Sequence, residues 1–296
     1  MPNRISNIEP HKIDETGIVT FTDGVSTGLV PNQRVCEAYG YTYDTFSGTC
    51  RINQVFVASL DSEFDNQSNK INGVRNNIGN TTKNITVNGD INTVLGKTKN
   101  ALLNGEGHLI DTDISNCTVL GQKGNVTRQN EFLIGGGLND LTTGISDDAT
   151  VLSTQRQMSI LHLSGVTTNN SAKKLTINGD NLSFINVKAN TILGYEIYIT
   201  RLELGGTSGT AGNFSYRNLK GCVRISHDYS MTFTTAFTRN IAKLGVNGTT
   251  EMVDSSTSDV KSITVQCSDR NNIKNAWSAV VYLHEIVSLD TNFTDE

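Results

Sequence analysis

Proline, tryptophan and long apolar runs are scarce in this sequence. Its 296 residues include three prolines and one tryptophan, with 36% hydrophobic and 18% charged residues. No stretch approaches the roughly 20 apolar residues of a membrane span, and the first residues contain no apolar core of a secretory signal. The formal net charge is −5, and no basic patch is present. We therefore predict neither membrane insertion nor a nucleic-acid partner.

Glycine, asparagine, threonine and serine take the place of the missing residue types. The sequence contains 27 glycines, and its β-branched residues are too numerous for a disordered chain of such low net charge. This composition is typical of an elongated β protein with a large polar surface.

A short phrase recurs in the middle of the chain, in which a few apolar residues are followed by glycine. Each copy has enough apolar residues for a short strand and too few for a helix. Because one such unit cannot bury its apolar side alone, the units must stack or be shared between chains. The uneven spacing favours an intertwined stalk of several chains over a single-chain solenoid, and the alternative is a region of Asn/Gly-rich turns. The copies are Asn92–Gly96, Cys117–Gly121, Glu131–Gly135 and Asn190–Gly194.

A heptad pattern precedes the repeat. Apolar positions alternate in steps of three and four, which predicts a short parallel coiled coil with Gln67 as a polar layer that sets the register. Gly73 and several asparagines are poor helix formers, so an amphipathic helix lying on the chain's own domain is the alternative. The seam consists of Val57, Leu60, Phe64, Gln67, Ile71, Val74 and Ile78.

Cysteine spacing suggests one disulfide. Cys36 and Cys50 bracket a tyrosine- and glycine-rich loop and could be bridged. The remaining three of the five cysteines, Cys117, Cys222 and Cys267, have the character of small core residues. Their spacing suits no common zinc site, and we predict no metal and no cofactor.

No catalytic constellation stands out in the sequence. Asp111 and Asp113, beside Glu106, could cleave glycosidic bonds as paired carboxylates or hold a cation, but a solvated turn is the simpler interpretation. We therefore predict that the chain is not an enzyme. Tyr216 and Tyr229 lie near loops of the C-terminal part and are candidate contacts to a receptor.

The sequence pattern changes in the C-terminal third of the chain. Alternating apolar residues, beginning with Tyr195–Leu204, come in several strand-length segments separated by Gly/Ser/Asn/Asp turns. This arrangement is typical of a β-sandwich or jelly roll.

The order of these segments resembles the trimeric fibres, spikes and head fibres of tailed bacteriophages. The segment Cys36–Cys50, with its Tyr39-Gly-Tyr-Thr-Tyr43 core, is also similar to segments in structural proteins of phages that infect Bacteroidetes, including crAss-like phages. The resemblance implies a mainly β, elongated homotrimer with a short coiled-coil neck, an intertwined β-helix or β-prism stalk and a C-terminal β-sandwich tip. The corresponding segments are a virion-docking module (1–54), the neck (55–80), the stalk (81–194) and the tip (195–296).

On this interpretation the chain is a structural virion protein. Residues 1–54 would attach to a capsid or tail protein, and residues 195–296 would bind a host-surface glycan, a receptor or another fibre protein. Many weak contacts would then combine into avidity. Two alternatives stay open: a tailspike polysaccharide depolymerase that uses Asp111 and Asp113, and a connector that binds another virion protein.

Overall fold

The computed structural model describes residues 8–14, 17–52, 69–139, 153–289 and 293. These residues form 24 strands and one short helix, so the prediction of a mainly β protein is confirmed. None of the described helices has the length and hydropathy needed to cross a membrane.

A small N-terminal module comes first. Its core contains Phe21 and the disulfide between Cys36 and Cys50. Asn32 caps the helix by accepting a hydrogen bond from the amide of Val35. The elements are β1 (Glu9–Ile13), β2 (Val19–Thr22), β3 (Thr27–Leu29), α1 (Gln33–Ala38), β4 (Thr42–Asp44) and β5 (Thr49–Arg51).

A β-solenoid of about four turns follows. Each coil contributes one strand to a first parallel sheet and one to a second, and equivalent residues lie 16 positions apart. The first sheet contains β6 (Lys70–Asn72), β8 (Lys83–Asn88), β10 (Lys99–Glu106), β12 (Ser115–Gln122) and β14 (Phe132–Asn139). The second contains β7 (Asn77–Ile78), β9 (Thr93–Val94), β11 (Leu109–Ile110) and β13 (Asn125–Val126).

An asparagine ladder marks one corner of the solenoid. Asn84, Asn100, Asn116 and Asn130 all have left-handed backbone conformations, with φ between 54° and 60°, which asparagine adopts more readily than most residues. Each side-chain amide donates to the oxygen of the next, at 3.1, 2.9 and 3.0 Å. The last step spans 14 residues instead of 16. The fourth coil, which contains β12 and β13, is therefore two residues shorter than the others.

The repeat was predicted with the wrong register. Asn92–Gly96 contributes to the second sheet through β9, whereas Cys117–Gly121 lies in β12 of the first sheet. The phrases look alike but occupy different sides of the coil, which made the spacing appear uneven. Within the described chain the coils pair with one another. This pairing corrects the prediction that neighbouring chains supply the strands.

The predicted coiled coil is not seen. Ile71 lies in β6, Ile78 lies in β7 and Val74 lies in the turn between them. Val57, Leu60, Phe64 and Gln67 fall outside the described residues. The spacing of seven has another cause, because it separates the two inward-facing apolar residues of a coil. Val87 and Val94 repeat it one coil later, and both are buried.

The first sheet continues beyond the solenoid with antiparallel strands. The order after β14 is β15, β24, β19, β20 and β21, which gives 11 strands in all when β17 is included. A smaller sheet of β16, β23 and β18, with β22 beside β23, packs on one face. The ranges are β15 (Thr154–Thr167), β16 (Lys173–Lys174), β17 (Thr176–Ile177), β18 (Ile185–Asn186), β19 (Thr191–Gly205), β20 (Phe214–Ile225), β21 (Met231–Leu244), β22 (Thr249–Asp254), β23 (Ser262–Ser268) and β24 (Lys274–Ser288).

The core of this C-terminal region joins both sheets. It includes Leu163 and Ile177 as well as Val265 and Val281. Strands from before residue 195 thus share sheets and core with strands after it, and the predicted boundary between 194 and 195 falls inside β19. A separate C-terminal sandwich tip is not shown, and neither is a trimer.

The outward face of the large sheet is unusually apolar. One cross-strand row, here called the apolar row, runs through Val166, Ala276, Leu202, Phe214 and Leu244. Its largest exposed fractions are 54% for Val166 and 56% for Leu244. An antiparallel sheet with one solvated face normally alternates apolar and polar residues. The apolar row departs from that pattern, although the charged pair Glu196 and Lys220 lies on the same face.

Candidate functional site

A cleft of about 390 Å³ lies where the solenoid meets the C-terminal region. One wall is the turn between β11 and β12, and the opposite wall comes from the β17–β18 and β22–β23 connections. The cleft contains carboxylates, amides, hydroxyls and an aromatic ring. Such a mixed lining suits a polar ligand that also has apolar faces.

The solenoid wall presents two exposed carboxylates. Asp111 and Asp113 follow β11, and Asp113 adopts a left-handed conformation with φ 63°. The turn is held by the neighbouring coils, because the Asp113 amide donates to the Gly96 carbonyl at 3.0 Å. The Thr98 hydroxyl donates to the Asp111 carbonyl at 3.0 Å, and the Gln129 side chain donates to the Asp113 carbonyl. The carboxylates therefore project from a fixed backbone.

The opposite wall offers an apolar surface. Leu182 is exposed and Phe184 is half-buried, and both line the cleft together with Val260. An Asp180 oxygen accepts hydrogen bonds from the amides of Leu182 and Ser183, each at 2.8 Å. Burial alone would raise the pKa of Asp180, but hydrogen bonds from Ser183, Leu182 and Thr176 hold it below its usual value. This loop is thus as well defined as the solenoid wall.

A buried ionic network lies beneath the cleft. Arg128 donates to Glu131 at 2.8 Å, to Glu285 at 2.9 Å and to the carbonyl of Asn186 at 2.7 Å. Lys188 lies 3.3 Å from the other Glu285 oxygen. Arg128, Glu131 and Glu285 are almost fully buried, so the network joins the last solenoid coil to the C-terminal region inside the protein.

The pKa shifts follow from this burial and pairing. Burial opposes the charged form of Glu285, but the charges of Arg128 and Lys188 outweigh it and lower the carboxyl pKa to about 2. For Lys188, burial and the Arg128 charge dominate and lower the pKa despite Glu285. The pKa of Arg128 is raised, because the charges of Glu285 and Glu131 outweigh the effect of burial.

The predicted site residues lie in different places. Asp111 and Asp113 both line the cleft, whereas Glu106 is absent from its lining. Tyr216 lies on the outward face of β20, stacked on Tyr198 with ring centroids 5.9 Å apart. Tyr229 occupies the turn between β20 and β21 with φ 66°. The cleft therefore does not include either tyrosine.

Sequence analysis missed the network and the apolar wall of the cleft. Glu285 was visible as a lone charge inside the apolar segment that became β24, and Arg128 follows the buried Val126 in the same way. A lone charge in a buried strand needs a partner, but Glu285 lies 157 residues from Arg128. Sequence alone gave no means of pairing them.

No metal site is evident in the described part of the chain, where no three His, Cys, Asp or Glu side chains come together suitably. Cys117 and Cys267 are buried free thiols. Burial is the main factor that raises the pKa of Cys117 to about 12, and it also raises the pKa of Cys267. Neither cysteine is suited to act as a thiolate nucleophile.

Comparison with known proteins gives a limited result. No protein-family model and no curated protein matches the chain. A tailspike protein of Acinetobacter baumannii phage AM24 is 6% identical, with a TM-score of 0.28 and coverage of 76% of this chain and 56% of its own. The Acinetobacter phage vB_ApiP_P1 tailspike is 10% identical, with a TM-score of 0.25 and coverage of 73% and 46%.

A third similar structure is the tailspike gp49 of Acinetobacter baumannii bacteriophage Fri1, described as a capsular polysaccharide depolymerase. It is 11% identical, with a TM-score of 0.21 and coverage of 72% of this chain and 38% of its own. This finding contradicts the prediction that the chain is not an enzyme, and we withdraw that prediction. Because this chain spans about half the length of these tailspikes or less, and the TM-scores are low, the likeness does not transfer an activity.

Proposed function

We propose that the chain is a subunit of a homotrimeric phage fibre or tailspike that binds host-surface polysaccharide. The observation that carries the proposal is the exposed apolar face of the large sheet. Contiguous exposed apolar surface of this kind marks an interaction site. The face crosses both the solenoid and the C-terminal region, since exposed Phe132 of β14 lies beside Ile160 of β15, which pairs with Tyr282 of β24.

The size of the face favours a copy of the same chain as its cover. Neighbouring strands lie about 4.8 Å apart, so the ten-strand path is about 43 Å long. A width of about 17 Å, or five residues, gives about 700 Å² per protomer, close to the area one partner buries in a standard interface. Covering this face requires a partner whose own surface is as long as the sheet path, and a parallel copy of the same chain meets that requirement.

Light scattering of the purified chain tests the assembly. We expect a trimeric mass that becomes monomeric when Phe214→Glu places a charge in the apolar row. The matched control, Ala172→Glu, adds the same charge at an exposed loop position off the sheet and should stay trimeric. A monomeric mass for the unaltered chain would refute the proposal.

The cleft supports the glycan-binding part of the proposal. Sugar rings present hydroxyls for carboxylate and amide partners and C–H faces for apolar side chains. Three copies per spike would combine modest affinities into avidity. Residues 1–54 are proposed to attach the fibre to a capsid or tail protein. Tyr216 would be covered in the assembly, which leaves Tyr229 as the proposed receptor contact of the predicted pair.

A second candidate function is hydrolysis of the bound polysaccharide. It is favoured by the position of Asp111 and Asp113, whose exposed carboxylates both border the cleft. Two such groups can act as acid and base or as acid and nucleophile on a glycosidic bond. Release of reducing ends from a panel of capsular polysaccharides is the assay. If the pair is catalytic, Asp111→Asn and Asp113→Asn should each lower the rate by at least about a hundredfold, whereas Glu106→Gln should not.

A further inference from the structure

We infer that the cleft selects neutral or amino-sugar glycans and rejects acidic ones. This inference rests on the proposed glycan-binding function and adds the charge class of the ligand. The evidence is the charge of the described residues that line the cleft: Asp111 and Asp113 face the ligand, and Arg128, the one cation among them, is already paired.

The carboxylates of the solenoid wall are unmatched. An Asp111 oxygen accepts a hydrogen bond from the Thr112 amide at 2.7 Å. Neither Asp111 nor Asp113 forms a salt bridge with any residue that the structure describes. Asp180 adds a third carboxylate behind the opposite wall. The ligand therefore meets a negative surface on the solenoid side.

Among the described residues that line the cleft, the one cation is already engaged. Arg128 lines the floor, but it donates to Glu131, to Glu285 and to a carbonyl. Lys188 pairs with the same Glu285. Two cations thus face two buried carboxylates, and this set is neutral overall.

Lys174, behind the opposite wall, is directed elsewhere. Lys174 donates to the Asp254 carbonyl at 2.7 Å. Lys174 and Lys261 together help to hold the pKa of Asp254 below its usual value, against the effect of burial. The negative charges of Asp111 and Asp113 are therefore not neutralised by Lys174 either.

The expected discrimination is modest and depends on salt. Two unit charges about 4 Å apart in water interact strongly enough to change an affinity about fivefold. Physiological salt screens this interaction over about 8 Å, so charges at the cleft act mainly on a ligand seated inside it. A uronic or sialic acid would be repelled, an amino sugar would be attracted, and a neutral sugar would rely on hydroxyl contacts and on packing against Phe184.

A glycan array that carries neutral, amino-sugar and uronic- or sialic-acid bacterial polysaccharides tests the inference on the full-length chain. We expect neutral and amino-sugar polysaccharides to bind at least about fivefold better than acidic ones at 150 mM salt. The double variant Asp111→Asn/Asp113→Asn should lose most of this preference, measured as the ratio of neutral to acidic binding whatever the change in absolute affinity. Glu106→Gln, which removes an exposed carboxylate of the same coil outside the cleft, should retain it.

The glycan array distinguishes three outcomes. Equal or better binding of acidic polysaccharides overturns the charge selectivity while leaving glycan binding in place. A preference that persists in the double variant also overturns the inference, because the discrimination would then arise outside the cleft. Failure of every class to bind overturns glycan binding and the inference together. The trimeric mass is measured separately and does not depend on the array.

Discussion

Glu285→Gln should destabilise the protein strongly at neutral pH. The substitution keeps the shape of the side chain but removes the charge that faces Arg128 at 2.9 Å and Lys188 at 3.3 Å. A carboxyl pKa lowered from 4.5 to about 2 corresponds to a stabilisation on the order of 3 kcal/mol. Breaking a buried ion pair from one side typically costs about 3–5 kcal/mol, which agrees with this figure.

The pH dependence provides the diagnostic measurement. The Glu285 pKa is depressed on folding, so its contribution is fully present above the unfolded pKa of about 4.5 and is lost as pH falls through about 2. Urea unfolding at fixed protein concentration should show a deficit of about 3 kcal/mol for Glu285→Gln at pH 7. The deficit should be nearly gone at about pH 2, where about half of the native carboxyl is already neutral, and should vanish below it.

A matched variant separates this effect from general loss of charge. Glu251→Gln removes an exposed carboxylate of the smaller sheet, which accepts a hydrogen bond from the Gln266 side chain at 2.9 Å. Exposed pairs contribute little, so its unfolding curve should match that of the unaltered protein. A Glu285→Gln deficit that is absent at pH 7, or equally large at pH 2, would refute the assignment of the network as a net stabilising contact.

Three further predictions concern the solenoid. His108→Asn should remove a loss of stability that occurs below about pH 6.5. Burial lowers the pKa of His108 and its Nδ1 accepts an amide hydrogen bond at 3.0 Å, so the folded protein requires the neutral imidazole and loses stability as pH falls through the unfolded pKa. Urea titrations at pH 5 and 7.5 measure this loss, with the exposed His162→Asn as control. Gly105→Ala should prevent soluble folding, because a Cβ would lie 1.8 Å from a backbone oxygen, whereas Gly24→Ala, with positive φ but open space, should give a native circular dichroism spectrum. Asn100→Ala should cost about 1–3 kcal/mol in urea unfolding through lost ladder bonds and left-handed strain; an unchanged midpoint would contradict this.

The sequence contained enough information for the fold class but not for the register. Short apolar segments punctuated by glycine and asparagine can form strands and corners but not long helices. The coil length stayed hidden because both strands of a coil carry similar phrases, such as Asn92–Gly96 and Cys117–Gly121. The seven-residue spacing of Ile71 and Ile78 suggested a coiled coil for a similar reason. Seven residues separate the two inward-facing apolar positions of a solenoid coil, and the same distance separates equivalent seam positions of a coiled coil.

The site was predictable in part. Asp111 and Asp113 stand out as paired acids, and their place in a turn followed from the surrounding glycines and polar residues. The other wall of the cleft could not be foreseen, because Leu182 and Phe184 reach it through the pairing of β18 with β23, a contact distant in sequence. The charge balance depends on another long-range pairing, that of β24 with β15, which positions Glu285 opposite Gln157.

The shortened fourth coil connects the cleft to the end of the solenoid. A solenoid whose last coil is uncovered would leave its apolar core open, so its ends require caps. Here the first sheet changes from parallel to antiparallel pairing between β14 and β15, and the C-terminal region covers the exposed end. The fourth coil is shortened just before Asn130, close to Arg128 and Glu131, which pair in the buried junction. The turn with Asp111 and Asp113, on the preceding coil, remains at the edge of that junction and forms the open side of the cleft. The ionic network thus begins in the shortened coil, and the two carboxylates lie on the coil before it, where they face the cleft.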